Sequence, residues 1–329
     1  MASDSLQLLV GVPPNYRLGG PAFQRLFDAH PRVQVRVVHD QAEFAQQVKT
    51  AHAVIGAKPY IKLAAAIAQP SANLRWVQTT TAGVDQSVPP ELFAAEHVTI
   101  TCIKGPPGPM MAEHAILLML ALPRNFPAYV HNQRAHVWRR EGQDWLPLYG
   151  QTVAILGVGS AGGNLARICK TAFGMRVLGM TRTPREVPHV DHVFSRDELL
   201  SVLPEADFVV LCLPNTQDTR NLIDAAALAA MRPTSFLINV SRGALVDEAA
   251  LVAAMRAGKI AGAGLDVTAD DPTPKDSPLW DLPNTILTPH IATESIKLSD
   301  AVVEFWCENI RRFAEQQPML GVVDRVKGY

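Results

Sequence analysis

The chain has 329 residues, a length typical of about two globular domains. Its 30 Lys and Arg residues against 31 Asp and Glu leave a net charge of −1, so the charge balance gives no indication of a nucleic-acid groove or of binding to an anionic membrane surface. Because 48% of the residues are hydrophobic, the chain can bury sizeable cores, which excludes global disorder.

Hydropathy and cysteine usage restrict the cellular location. The longest apolar run, residues 115–122, ends at Pro123 and is much shorter than the about 20 residues of a bilayer span. The N-terminus lacks the basic and apolar regions of a signal peptide. The four cysteines are scattered without a Cys-x-x-Cys pair, which argues against a zinc site or a disulfide framework. We therefore expect a cytoplasmic protein with no membrane partner and no metal site.

Strand-like and helix-like segments alternate over the first hundred residues. Short runs rich in β-branched residues predict strands at residues 6–10, 33–38, 53–55, 74–79 and 98–101. Helical patterns lie between them at residues 22–29, 41–49, 61–68 and 91–95. This alternation predicts a parallel sheet covered by helices.

A breaker cluster, Lys104-Gly105-Pro106-Pro107-Gly108-Pro109, then predicts a hinge or a domain boundary. One long helical stretch is predicted after it over residues 110–140, bent by Pro123 and Pro127.

A second alternating series begins at Gln151. It predicts strands at residues 153–156, 176–180, 208–213, 236–240, 264–267 and 285–287, and helices at residues 161–173, 197–203, 224–231 and 248–256. Such a series is typical of a doubly wound nucleotide-binding sheet. A last helix, residues 295–316, lies outside this series and could return to the first domain.

The first strand of the second series runs into a G-x-G-x-x-G motif and then a helix. Gly157 permits the tight turn, Gly159 lets the backbone approach a pyrophosphate, and Gly162 allows close packing of helix and strand. The helix N-terminus, with Ser160 and Ala161, offers N–H groups and a positive dipole to phosphates. The motif predicts dinucleotide binding, and the alternative is an ordinary glycine-rich turn.

The end of the next strand indicates which cofactor is preferred. An NAD site usually has an acid there to bind the ribose 2′-hydroxyl, whereas this chain has Thr181-Arg182-Thr183 followed by Arg185. Arg182 with its neighbours could hold a 2′-phosphate through charge-assisted hydrogen bonds. We predict NADP(H) as the preferred cofactor with NAD(H) possible. A solvated basic loop is the alternative.

Three later strand ends carry polar residues, at the edge where open α/β sheets bind ligands. Arg242 is placed to grip a carboxylate, although it could instead form an ion pair with Asp247 or Glu248, and Asp247 also fits as a helix N-cap. Asp266 could orient a cofactor or cap a turn. His290 with Asp271 as its carboxylate partner would be a useful proton donor near neutral pH.

Together these residues resemble the D-isomer-specific 2-hydroxyacid dehydrogenase family. The resemblance covers essentially the whole chain, and its most specific parts are the segments 241–243, 277–283 and 288–290. It implies an α/β fold of two doubly wound parallel-sheet domains. A Rossmann dinucleotide-binding domain, residues 105–296, would be inserted in a discontinuous flavodoxin-like substrate domain, residues 1–104 plus 297–329.

The resemblance also implies roles for individual residues. Arg242 would hold the carboxylate and keto oxygen of the substrate, and His290 would be the acid/base. The family usually has Glu where this chain has Asp271, which is shorter by roughly 1.5 Å of reach. Whether the pair closes through a backbone shift or a water, or acts more weakly on the histidine, is left open, and with it the pH optimum. Backbone N–H groups of Ala82, Gly83 and Val84 would meet the substrate carboxylate.

The implied function is NAD(P)H-dependent reduction of a small 2-keto acid, glyoxylate- or hydroxypyruvate-like, to the D-2-hydroxy acid, and the reverse. The Thr181-Arg182-Thr183 strand end looks like the NADP-preferring glyoxylate/hydroxypyruvate reductase branch. A homodimer is the family expectation. The alternative is a corepressor-like protein that senses nicotinamide cofactor with little turnover.

The expected cofactor-binding residues are Gly157, Gly159, Ser160, Ala161, Gly162, Thr181, Arg182, Thr183, Leu213, Pro214, Thr219, Val240, Arg242, Asp266, His290 and Ala292.

Overall fold

The chain forms two compact units in a computed structural model that describes residues 5–14, 16, 21–69, 73–85, 87–140 and 146–329. The first unit combines Met1–Pro107 with Ser295–Tyr329, and the second is Gly108–Glu294. The two crossings between the units lie within a few residues of the positions expected from the sequence, 104/105 and 296/297.

The strands of the described residues are short, as is usual for α/β sheets. They are β1 Leu6–Gly11, β2 Val33–Val38, β3 Ala53–Gly56, β4 Trp76–Thr79, β5 Thr99–Thr101, β6 Thr152–Leu156, β7 Arg176–Met180, β8 His192–Phe194, β9 Phe208–Leu211, β10 Phe236–Asn239, β11 Gly262–Leu265 and β12 Thr285–Leu287.

The α-helices lie mostly in the connections between these strands. They are α1 Pro21–Gln24, α2 Gln41–Gln47, α3 Lys58–Ala65, α4 Pro90–Ala94, α5 Gly108–Ala121, α6 Phe126–Arg134, α7 Ser160–Phe173, α8 Leu199–Val202, α9 Ala225–Ala230, α10 Glu248–Arg256 and α11 Leu298–Ala314.

The first unit is built on a five-stranded parallel sheet of order β2-β1-β3-β4-β5. This is the order of flavodoxin-like sheets. Helix α11 packs against this sheet, with Val303 and Trp306 in one core cluster with Ile55 and Trp76. The last helix therefore belongs to the first unit, which explains why its pattern falls outside the second series.

The second unit is built on a seven-stranded parallel sheet of order β12-β11-β10-β9-β6-β7-β8. All residues of β9 and most of β6 are fully buried, as expected for a sheet covered on both faces. Chain order reverses between β6 and β9, which puts a ligand crevice at the carboxyl ends of these strands. The two sheets confirm the predicted fold class.

Two elements differ from their prediction. The single long helix expected over residues 110–140 is wrong, because the chain forms two helices, α5 and α6, separated at Pro123 and at Asn125, whose φ is +51°. Proline removes a helical hydrogen bond and a left-handed residue reverses the path, so the pattern breaks instead of bending. The three-residue edge strand β8 was not predicted, because it is too short to show alternation.

Every helix of the described residues is too short or too polar to cross a bilayer. The four cysteines are free thiols. Within the same described residues, no three His, Cys, Asp or Glu side chains come together as a metal site would require.

Candidate active site

The turn between β6 and α7 requires glycine at two of its positions. Gly157 has φ +100°, and its N–H donates to the Met180 carbonyl at 3.2 Å. A Cβ at Gly157 would lie 2.7 Å from the Cys212 carbonyl oxygen, and a Cβ at Gly162 would lie 2.0 Å from the carbonyl oxygen of Gly157. The turn therefore lies between the ends of β7 and β9, with α7 pressed against it.

Gly159 is placed differently, because a Cβ there would meet no protein atom within 4 Å. Gly159 and Ser160 are exposed at the N-terminus of α7, and Ala161 is half-buried in its first turn. Open space in front of a helix N-terminus, at the reversal point of the sheet, fits the pyrophosphate of a dinucleotide. The residues present thus fit the cofactor that the motif predicts.

The loop after β7 carries the residues expected at the adenosine end of the cofactor. The Thr181 hydroxyl donates to the Thr183 carbonyl at 3.0 Å, which holds the loop in shape. The Arg182 guanidinium lies 2.8 Å from the carboxylate of Asp218, and the Arg182 side chain is a little under half exposed while that of Asp218 is more than half exposed. Sequence reasoning missed Asp218, because this acid comes from the loop after β9, 36 positions further along the chain.

The loop after β9 is a compact turn. The Thr219 hydroxyl donates to the Pro214 carbonyl at 2.7 Å, and the Thr216 N–H donates to the Thr219 hydroxyl at 2.8 Å. Leu213 contacts the glycine turn, since its Cδ2 lies 2.8 Å from where a Gly157 Cβ would be. The Val240 side chain is buried in the core of this unit, so any contact it makes with a cofactor would be through its backbone.

Arg242 is held by the polar loop that follows β10. The Asn239 amide nitrogen donates to the Arg242 carbonyl at 2.8 Å, and its oxygen accepts the Ser241 N–H at 3.1 Å. Asp247 caps α10 by accepting the Ala250 N–H at 3.0 Å, which confirms its interpretation as an N-cap. Glu248 accepts the Ala269 N–H at 3.0 Å. Both acids named as alternative partners of Arg242 thus have backbone contacts of their own.

His290 and Asp271 form a direct pair. The ring Nδ1 of His290 lies 2.5 Å from Oδ2 of Asp271, and each side chain is a little under half exposed. His290 has φ +54°, a left-handed conformation that is uncommon for residues other than glycine and concentrates at functional sites. The shorter acid therefore reaches the imidazole without an intervening water, and Nε2 is the ring nitrogen not used by this pair.

The buried carboxylate of Asp266 organises the segment around His290. It is 1% exposed and accepts the Ile291 and Ala292 N–H groups, each at 2.9 Å. The Thr288 hydroxyl donates to it at 2.6 Å, and the His290 N–H donates to the Asp266 carbonyl. Of the two roles considered for Asp266, capping this turn is thus observed, and a contact with the cofactor stays a prediction.

Helix α5 contributes a second histidine to this network. His114 Nε2 lies 2.9 Å from the Thr288 hydroxyl and 3.5 Å from the Asp266 carboxylate. Because that hydroxyl already donates to Asp266, it accepts from His114. Neither Thr288 nor His114 was identified from the sequence as supporting His290. The distance of 174 positions between them leaves no local signal.

The predicted substrate loop belongs to the first unit. It follows β4, with Ala82 exposed, Gly83 half-buried and Val84 buried. The Gly83 carbonyl accepts the hydroxyls of Thr81 at 3.0 Å and Ser87 at 2.8 Å. These side-chain bonds fix the loop backbone, and its contact with a substrate carboxylate stays a prediction.

The carboxyl edge of the second sheet thus combines a dinucleotide turn, a guanidinium and a carboxylate-paired imidazole. A guanidinium can bind a carboxylate in two-pronged fashion, and a positioned imidazole can transfer a proton. This combination fits a nucleotide-dependent oxidoreductase built on a doubly wound sheet.

Comparison with known proteins identifies the family. Residues 116–292 match the family model for the D-isomer specific 2-hydroxyacid dehydrogenase, NAD binding domain. The chain belongs to this family of oxidoreductases, which confirms the resemblance found in the sequence.

Named relatives and solved structures are consistent with this family assignment. A glyoxylate reductase from Pyrococcus furiosus is 37% identical over 209 residues, which span 61% of this chain and 62% of that protein. A D-isomer specific 2-hydroxyacid dehydrogenase family protein from Aeromonas salmonicida is 33% identical, with a TM-score of 0.82 over 98% of this chain and all of that one. The NADPH-dependent glyoxylate/hydroxypyruvate reductase of Sinorhizobium meliloti, solved with NADP and malonate, is 27% identical with a TM-score of 0.77 over 98% of each chain.

Proposed function

We propose that this chain reduces a small 2-keto acid, of the size of glyoxylate or hydroxypyruvate, to the D-2-hydroxy acid and catalyses the reverse reaction. The observation that carries the proposal is the 2.5 Å pair of His290 and Asp271 on the sheet edge that also holds Arg242 and the glycine turn. The names of the glyoxylate reductase relative and of the Sinorhizobium reductase support the substrate class.

In the proposed reaction, bound NAD(P)H supplies the hydride to the keto carbon. The Arg242 guanidinium binds the substrate carboxylate and stabilises negative charge that develops on the keto oxygen. His290 donates a proton from Nε2 to that oxygen and recovers it in the reverse direction. Asp271 fixes the ring at Nδ1, so that the proton is available at the other nitrogen.

Around this centre, the buried Asp266 network sets the backbone on which His290 stands. We also assign the N–H groups of Ala82, Gly83 and Val84 to binding of the substrate carboxylate. Asp271 and His290 are therefore the residues that we assign to proton transfer, and Arg242 is the residue assigned to substrate binding.

NADP(H) is the preferred cofactor in this proposal, with NAD(H) accepted. The residues directly after β7, from Thr181 to Arg185, include no acid, and Arg182 lies there between Thr181 and Thr183. A guanidinium next to two hydroxyl groups suits a 2′-phosphate. A homodimer stays the expectation that the family resemblance implies, and a cytoplasmic location stays the expectation drawn from the sequence.

The test measures initial rates of NADPH and NADH oxidation with glyoxylate, hydroxypyruvate, pyruvate and phenylpyruvate. We expect turnover with at least one of these acids, a preference for NADPH, and a loss of about 100-fold or more in kcat for His290→Ala. Arg182→Ala should remove the cofactor preference. His131→Ala, at an exposed histidine of α6, serves as the matched control.

Each contrary result bears on a different part of the proposal. A preference for NADH would remove the cofactor assignment and leave the chemistry standing. Full activity of His290→Ala would remove the proton-transfer assignment. Tight cofactor binding without turnover on any of the four acids would contradict the proposed reaction and favour a cofactor-sensing protein.

A further inference from the structure

The loops that follow β7 and β9 are joined by one contact that has no role in the proposed reaction. The Arg182 guanidinium, assigned to the 2′-phosphate, already lies 2.8 Å from a carboxylate oxygen of Asp218. A guanidinium that binds a phosphate and one that binds a carboxylate use the same forked donors. The two anions therefore compete for one site.

The topology of the sheet explains how these residues meet. Arg182 follows β7 and Asp218 follows β9, and these two strands lie on either side of β6. Strand β6 runs directly into the glycine turn at Gly157. The ion pair thus joins the two loops that flank the predicted position of the dinucleotide.

Asp218 is held in place by its own turn. The Thr219 hydroxyl binds the Pro214 carbonyl at 2.7 Å, and the Arg220 N–H donates to the Thr216 carbonyl at 3.0 Å. These bonds fix the backbone on both sides of Asp218. The backbone that carries the Asp218 carboxylate is therefore fixed by this turn.

We propose that Asp218 is a specificity-determining residue of the cofactor site, which occupies the Arg182 guanidinium when no 2′-phosphate is present and competes with that phosphate when it binds. The inference rests on the proposed assignment of Arg182 to the 2′-phosphate. Two consequences follow for the two cofactors. NADH leaves the Arg182–Asp218 pair intact, whereas NADPH brings a phosphate dianion close to the carboxylate and competes with it for the guanidinium.

The Arg182–Asp218 pair therefore weakens the preference for NADPH over NADH. An exposed ion pair is worth little by itself, but removal of the Asp218 charge also removes repulsion of the phosphate. We expect that Asp218→Asn increases the affinity for a 2′-phosphate about three- to tenfold, and that the increase shrinks in high salt because the charges are exposed.

The experiment titrates the full chain by calorimetry with 2′,5′-ADP and with 5′-AMP, two probes that differ only in the 2′-phosphate. We expect Asp218→Asn to bind 2′,5′-ADP more tightly and to leave 5′-AMP within about twofold, because the latter does not displace the carboxylate. The control Asp276→Asn, at an exposed acid on the loop after β11, removes the same charge elsewhere and should change neither affinity.

A double variant separates this inference from the proposed function. In Arg182→Ala, the additional change Asp218→Asn should have a smaller effect than in the wild type, because the competition for the guanidinium is gone and only the direct repulsion between phosphate and carboxylate remains. If Arg182→Ala alone does not weaken 2′,5′-ADP, the assignment of the 2′-phosphate to Arg182 is wrong. If Arg182→Ala weakens it but Asp218→Asn brings no gain, or the gain persists in full without Arg182, the role of Asp218 is wrong.

Discussion

At the scale of single residues, the proposed proton transfer depends on the direct contact between Asp271 and His290. The sequence left open whether Asp271 would reach His290, since the resemblance to the family implies the longer Glu at this position. The left-handed conformation of His290 and the backbone bonds to Asp266 bring the ring to 2.5 Å from Asp271. The shorter carboxylate thus reaches the imidazole directly.

Asp271→Asn tests the orienting role of this carboxylate. We expect kcat to fall about 10- to 100-fold with a smaller change in KM, because the ring loses its fixed orientation while the substrate keeps Arg242. Asp271→Glu should retain kcat within about tenfold of the wild type, since it keeps the charge. Steady-state rates across pH measure both variants.

Asp270→Asn is the matched control for this prediction, because it changes the neighbouring exposed acid. A kcat of Asp271→Asn within about twofold of the control would contradict the orienting role of Asp271. Loss of a positioned proton-transfer partner should lower kcat by more than that.

Residue types and strand ends were enough to predict Arg242, Asp271 and His290 as site candidates, whereas their supports were not predictable. Thr288, His114 and Asp218 act through partners that are distant in sequence. A single threonine hydroxyl, or a single histidine on an apolar helix, has no sequence pattern that indicates its hydrogen-bond partner. Only the packed fold shows which polar groups share a hydrogen bond.

At the scale of elements, the glycines at the turn between β6 and α7 differ in the space that is available for a Cβ. Gly162→Ala should destabilise the chain by about 1–3 kcal/mol, because its Cβ would overlap the Gly157 carbonyl. Gly159→Ala should keep the melting temperature but weaken cofactor binding about tenfold or more, because only a bound ligand would meet that methyl group. Thermal unfolding and cofactor titration measure the two effects.

Gly163→Ala is the internal control, since a Cβ there meets nothing within 4 Å and the residue lies inside α7. It should leave stability unchanged or slightly improved, because Ala favours a helix. Normal cofactor binding by Gly159→Ala would show that the dinucleotide does not approach this turn.

Helix α11 carries a charged cluster with a defined pH dependence. The hydrogen bonds from Arg311 and Arg312 lower the pKa of Glu308 from its usual 4.5 to about 2. Because the pKa is depressed in the folded chain, this stabilisation is present above pH 4.5 and is lost as the pH falls towards about 2. The pair is partly exposed, so we expect Glu308→Gln to lower the free energy of unfolding by only about 1 kcal/mol at neutral pH.

Urea unfolding at a series of pH values measures this effect. The difference between wild type and Glu308→Gln should shrink as the pH is lowered below 4.5. Glu304→Gln, at an exposed acid on the same helix, is the control. A Glu308→Gln difference that stays constant down to the lowest pH would contradict the assigned cause.

At the scale of the whole molecule, an apolar surface on the second unit bears on assembly. Leu117 and Leu120 share one face of α5 and are 56% and 43% exposed, and Phe126 at the start of α6 is 56% exposed. Exposed apolar side chains that share a helix face, as Leu117 and Leu120 do, often mark interaction surfaces. This surface is where we expect the homodimer to form.

Light scattering should therefore give a mass of twice the 35.7 kDa of one chain. Leu117→Glu should shift the protein towards the monomer, because it would bury a charge in the interface. Leu200→Glu, at an exposed leucine of α8, should leave the mass unchanged. A monomeric wild type would remove the expectation, and a dimeric Leu117→Glu variant would place the interface elsewhere.

The sequence by itself determined the two parallel sheets, the family and the chemical candidates. Strand and helix periods, glycine spacing and residue types at strand ends are local properties, and each can be recognised without knowledge of the fold. The chain order of the elements also indicated that the last helix stands apart from the second series.

Only the tertiary structure decided which candidates touch. It placed Asp271 directly on His290, gave Asp266 a buried capping role, and set Asp218 against Arg182. It also divided the predicted long helix in two. These outcomes depend on the packing of segments that are far apart in the chain, where a shift of one side-chain length makes or breaks a hydrogen bond.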